Sequence, residues 1–138
     1  MKYMILTYAS QRDYDGMAGK PAEERVWSAE EFAAMGEFME AFNKDLADSG
    51  ELVETRALAA PVLTRRLRLQ NGVPVATDGP YAEAQEVLAG YWIVECDSFD
   101  RATEIAARLA GCPAPGQVAA TAVADVQPIA DSVAELEP

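Results

Sequence analysis

Gly90-Tyr91-Trp92-Ile93-Val94-Glu95-Cys96-Asp97-Ser98-Phe99 decides the fold, because it joins two signals end to end. Residues 90–96 are an unbroken run of apolar and β-favouring side chains, the pattern of a strand covered on both faces rather than one. Ser98 then stands as a helix cap. Phe99, Ala102, Ile105, Ala106 and Leu109 follow as an apolar stripe at helical spacing, which Gly111 and Pro113 bring to an end. The same pair of elements opens the chain. Residues 2–8 are a second two-face run, and Ser28-Ala29-Glu30-Glu31 is a capping box with Trp27 and Phe32 at the positions of a hydrophobic staple. Phe32, Met35, Met39, Phe42 and Leu46 give one helical stripe and Gly50 the permissive residue past its end, which predicts a helix over 29–49.

Between these units the pattern is extended over 51–59 and 62–70, joined around Pro61 and ended by Asn71-Gly72, with a short returning strand over 73–77. Alternation places Leu63, Leu67 and Leu69 on one face, expected to lie toward the helices, and Thr64, Arg66 and Arg68 on the other. Residues 10–25, with Gly16, Gly19 and Pro21, read as a long loop, and 118–129 as a final strand. The order β-α-β-β(-β)-loop-β-α-β is α+β: a ferredoxin-like, split βαβ antiparallel sheet with helices on one face. One domain over 1–130 and an acidic tail over 131–138 are expected. Helices on one face leave the other face of the two apolar strands bare, and the simplest cover is the sheet of a second copy in a twofold homodimer.

Charge and composition narrow the function. The chain has 138 residues, 11 Lys+Arg against 23 Asp+Glu and a formal charge of −12, which disfavours phosphate backbones and anionic lipid surfaces. No nucleic-acid partner and no membrane partner are expected. No stretch reaches the roughly 18 apolar residues of a membrane span, and no signal peptide opens the chain, so a cytoplasmic location is expected. Cys96 and Cys112 have no metal or redox spacing and read as small hydrophobes. With no histidine at all, the usual neutral-pH base and the commonest metal ligand are missing. Chemistry, if any occurs, runs on carboxylates, tyrosines, lysines or bound water.

Thr77-Asp78-Gly79-Pro80-Tyr81-Ala82-Glu83-Ala84-Gln85-Glu86-Val87-Leu88-Ala89-Gly90-Tyr91 resembles the DGPF signature of the YCII-related (YciI-like) family. Asp78, Gly79, Pro80, Ala82, Glu83, Glu86 and Gly90 match, whereas Tyr81 stands for the usual Phe and Gln85 for the usual Lys. The opening Lys2-Tyr3-Met4 and the closing Asp125-Val126-Gln127-Pro128-Ile129 are similar to the family's ends, with Gln127 where an Arg is common. The resemblance implies a dimeric α+β barrel with a pocket between sheet and loops. Some relatives are regarded as enzymes using a His and Asp pair, whose histidine this chain lacks. Others are encoded beside extracytoplasmic-function sigma factors, which implies an accessory role.

Two groups of residues carry the chemistry. Pro80 lacks an N–H and suits the first position of a helical turn, so Asp78 can cap a segment over 80–88 through the Tyr81 and Ala82 amides. This is a rigid turn on the bland reading. On the functional one it holds Asp78 as proton acceptor, Tyr81 as phenolic donor, and Glu83 and Glu86 at a pocket mouth. Two glutamates are a weak metal signal, and neither a metal nor a cofactor is expected. Arg66 and Arg68 share a strand face where their guanidinium groups suit a carboxylate or phosphate, with Arg56 and Tyr3 as further members. The bland reading is an edge strand protected by charge. The leading expectation is an anionic small molecule bound in a dimeric barrel, with proton transfer as the available chemistry. The alternative is a non-catalytic binding module that contacts a sigma factor or other protein.

Overall fold

The computed structural model describes residues 1–19, 26–79 and 85–136. The elements in chain order are β1 (Lys2–Ala9), α1 (Gln11–Met17), α2 (Ala29–Asp48), β2 (Leu52–Ala57), β3 (Arg65–Gln70), β4 (Val73–Asp78), β5 (Val87–Glu95), α3 (Phe99–Ala107), α4 (Gly116–Thr121) and β6 (Ala124–Pro128). The two apolar runs of the sequence, β1 and β5, are the two central strands of a four-stranded sheet ordered β2-β5-β1-β6, antiparallel throughout. With β3 and β4 set aside as a separate hairpin, this is the ferredoxin-like order.

Local chemistry sets the helices. Ser28 Oγ accepts from the Glu31 amide and Glu31 returns a bond to the Ser28 amide, closing the capping box of α2. The staple forms as well, with the Trp27 and Phe32 rings edge to face at 6.3 Å. Ser98 caps α3 through the Arg101 amide. Both helices lay their apolar stripes on one sheet face, where Tyr3, Ile5, Trp92 and Val94 meet Phe42, Leu46, Ala102 and Ile105. Phe42 packs edge-on to Trp92 at 5.5 Å, and the Trp92 indole N–H donates to Asn43 Oδ1 at 2.7 Å. Cross-strand register places Met4, Leu6, Tyr91 and Ile93 on the opposite face, and none of them belongs to this core.

Four expectations need correction. The expected loop over 10–25 begins with α1, because Ser10 and Asp13 form a second capping box: Asp13 Oδ2 accepts from the Ser10 amide and the Asp13 amide donates back to Ser10 Oγ. The single strand over 118–129 is α4 followed by β6, its first half being alanine-rich enough to turn helical after Pro115. The strand over 62–70 starts only at Arg65, after a 3-10 turn at Pro61–Leu63 nucleated by the proline. Leu63, Leu67 and Leu69 do not face the helices: they are 76%, 69% and 73% exposed, because the β3–β4 hairpin stands off the body of the domain. The expected acidic tail contains a 3-10 turn at Val133–Leu136. Among the described residues no helix is long and apolar enough to cross a membrane.

Candidate functional site

The hairpin register sorts the predicted residues. Arg66 pairs with Thr77, Arg68 with Val75 and Gln70 with Val73, so both arginines do share one face, as the alternation implied. The other face carries Leu67 opposite Ala76, Leu69 opposite Pro74, and Arg65 opposite Asp78. Asp78 Oδ1 accepts from Arg65 Nε at 2.7 Å across this last rung, with both side chains largely in solvent. Of the segment that Asp78 was expected to cap, Val87 and Leu88 belong to β5 and Gln85 and Glu86 have no regular structure. Tyr81 and Glu83 lie outside the described residues. Glu86 is exposed.

The hairpin is held at its base. The Gly79 amide donates to the Thr64 carbonyl at 2.7 Å. A Cβ on Gly79 would overlap the Pro61 carbonyl oxygen, so the motif's first glycine is required by main-chain crowding. Gly90, the motif's last, is buried in β5, where a Cβ would stand 3.1 Å from the Arg56 carbonyl oxygen. From the other side α1 braces the approach to the hairpin. Gln11 Oε1 accepts from the Val62 amide at 2.9 Å, and the Tyr14 hydroxyl donates to the Leu58 carbonyl at 2.7 Å. Burial, and then the neighbouring Asp13 charge, push the Tyr14 phenol above its ordinary range.

Arg56 lies elsewhere, on the uncovered sheet face. It pairs with Tyr91, Tyr91 with Leu6, and Leu6 with Asp125, giving one row across all four strands; Glu54, Ile93, Met4 and Gln127 form the next row. The Tyr91 hydroxyl donates to Glu54 Oε2 at 2.6 Å, and Arg56 Nη2 stands 3.8 Å from Glu54 Oε1. On β1, the Tyr8 hydroxyl donates to Asp125 Oδ2 at 2.7 Å. Each carboxylate accepts the phenolic proton and so holds it, raising Tyr91 and Tyr8 above the ordinary phenol range. The face is thus a strip of Met4, Leu6 and Ile93 flanked by two phenol–carboxylate pairs. Glu54 and Asp125 were missed from sequence; their spacing of two from Arg56 and Gln127 was the available signal. Tyr3 is not brought to this group. It lies on the helix-covered face, 4% exposed, edge-on to Phe99 at 5.6 Å.

The fold and the half-covered sheet define a ferredoxin-like α+β domain carrying an appended arginine hairpin. The chain belongs to the family of the YCII-related domain, whose model matches residues 1–127. An uncharacterized protein of Rhizobium meliloti is 30% identical over 81 residues, a match covering 59% of this chain and 65% of that protein.

Proposed function

We propose that this protein is a homodimer that binds an anionic small molecule where the hairpin of one copy meets the uncovered sheet face of the other. The observation that carries this reading is the hairpin itself. Three arginines against one aspartate give it a charge of +2 in a chain of −12, and its leucines are exposed with nothing in the same chain to cover them. A two-stranded hairpin alone is marginally stable in water, so it gains by being covered. The uncovered sheet face supplies both complements: an apolar strip, and the acidic groups Glu54 and Asp125. Docking there brings Arg66 and Arg68 near Arg56, and three guanidinium groups suit a carboxylate or phosphate. Asp78, Glu86 and the two phenol–carboxylate pairs are the groups available for proton transfer on such a ligand.

Sedimentation measures the assembly, and a thermal-shift screen against inorganic phosphate and small dicarboxylates measures the site. Twice the chain mass at micromolar concentration, with stabilisation by one such anion that Arg68→Ala removes, is the expected result. A monomeric mass, or an anion response that survives Arg66→Ala/Arg68→Ala, would overturn it.

A further inference from the structure

The helix-covered face holds a second concavity, between α1, α2, the end of α3, α4 and β6. Its volume is about 560 Å³, inside the roughly 300–1,000 Å³ span of small-molecule sites. None of Arg56, Arg66, Arg68 or Asp78 lines it. Three methionines, Met17, Met35 and Met39, form flexible walls that can close on varied shapes, with Leu109 and Val118 beside them. The space exists because Ala106, Ala119 and Ala122 are small where a larger side chain would fill it.

The wall's polar groups are engaged within the protein. Thr7 Oγ1 donates to the Gly90 carbonyl at 3.2 Å, Thr103 Oγ1 to the Phe99 carbonyl at 2.8 Å, and the Tyr8 hydroxyl to Asp125 at 2.7 Å. The Asp13 carboxylate is held by the Ser10 amide and hydroxyl. No lysine or arginine is among the lining residues, while Asp13 is, so the wall opposes an anion. One donor is left over. The Trp27 indole N–H is buried without an acceptor among the described residues, and Trp27 is on the wall. Buried donors in native proteins nearly always have a partner, which makes this one a vacancy for a ligand's acceptor.

We infer that this cavity binds an uncharged, largely apolar small molecule whose carbonyl-type oxygen accepts from Trp27. The inference is separate from the proposed anion site, which lies on the hairpin and the opposite sheet face, and either can fail alone.

The test titrates the full chain with prodan, an uncharged naphthyl ketone whose emission shifts to the blue in apolar surroundings. Saturable binding of one probe per chain is expected. Ala119→Phe, which fills the cavity, weakens it about tenfold or more, and Trp27→Phe, which keeps the ring and deletes the N–H, weakens it about fivefold. Arg68→Ala leaves it unchanged, and a sulfonated naphthyl probe binds much more weakly. Ala110→Phe serves as the second filling variant if the melting curve shows that Ala119→Phe does not fold. The inference is overturned if the wild type shows no saturable blue shift, if folded filling variants bind as the wild type does, if Arg68→Ala abolishes binding, or if the sulfonate binds equally well.

Discussion

Gly79→Ala is expected to loosen the hairpin without touching the core. Gly79 does not have a positive φ, so alanine's backbone is admissible there and even stiffens the unfolded chain, a gain of about 0.4–1 kcal/mol. The cost is steric. The added Cβ would overlap the Pro61 carbonyl oxygen and lie 3.2 Å from its carbonyl carbon and 3.3 Å from the Thr64 carbonyl oxygen. All three are main-chain atoms, which cannot rotate aside, so the strand must move and stretch the 2.7 Å bond from the Gly79 amide to Thr64. Overpacking costs about 1–3 kcal/mol and loss of the hydrogen bond about 0.5–1.5 kcal/mol, which leaves a net of about 2–3 kcal/mol. No other strand or helix packs broadly against β3 or β4, so this loss falls on the hairpin's attachment. Hydrogen exchange reads it directly. Amides of β3 and β4 lose protection in Gly79→Ala while those of Ile5 and Val94 in the core keep theirs. Unchanged exchange in both strands, with a melting temperature within about 1 °C of wild type, would refute the reasoning.

Two further outcomes concern the core. Phe42→Ala removes a ring that is 1% exposed, stacked on Phe38, edge-on to Trp92 and covered by the Arg108 guanidinium at 5.1 Å, and should cost about 3–5 kcal/mol in denaturant unfolding. Glu51→Gln tests a pH dependence: bidentate hydrogen bonds from Arg101, at 2.8 Å each, hold the Glu51 carboxyl below its ordinary value. A depressed folded value stabilises above the unfolded value and is lost as pH falls through the folded one. The variant should therefore be less stable than wild type by about 1 kcal/mol at neutral pH, a figure discounted for the half-exposed Arg101, with the gap closing in acid below the ordinary glutamate range.

The ferredoxin-like order was legible because its central strands and two main helices announce themselves through composition and caps. The Ser28 box and the Trp27–Phe32 staple set the start of α2 at the expected residue. By contrast α1 was hidden: Ser10-Gln11-Arg12-Asp13 has the spacing of a capping box, but Gly16 and the lack of an apolar stripe made the segment read as loop. Alternation correctly separated the arginines from the leucines of β3. It could not say which face meets the body, because period two encodes sidedness and not what lies on either side. The same limit applies to the site: Arg56, Arg66 and Arg68 were visible as residue types, whereas the pairing of Glu54 with Tyr91 depends on a register between β2 and β5 that only the fold supplies.

The signature glycines act through main-chain crowding, which leaves the question of what Asp78 does. Its ion pair with Arg65 is mostly in solvent, and such a pair contributes about 0.2–1 kcal/mol at most, too little to make it a keystone of stability. Its effect on charge placement is larger. Pairing with Arg65 neutralises the hairpin face that also carries Leu67, Leu69, Ala76 and Pro74, while the opposite face keeps the cations Arg66 and Arg68. The hairpin therefore has one neutral apolar side and one positive side, a division suited to resting on an apolar sheet while presenting charge to a ligand. Asp78→Asn puts an uncompensated arginine on the side that must dock. On the proposed reading, sedimentation should then show weaker dimerisation with the melting temperature nearly unchanged, whereas Arg68→Ala should spare the dimer and lose the anion. If instead Asp78→Asn left the dimer intact and removed only the anion response, the carboxylate would be acting on the ligand itself and the charge-placement account would fall.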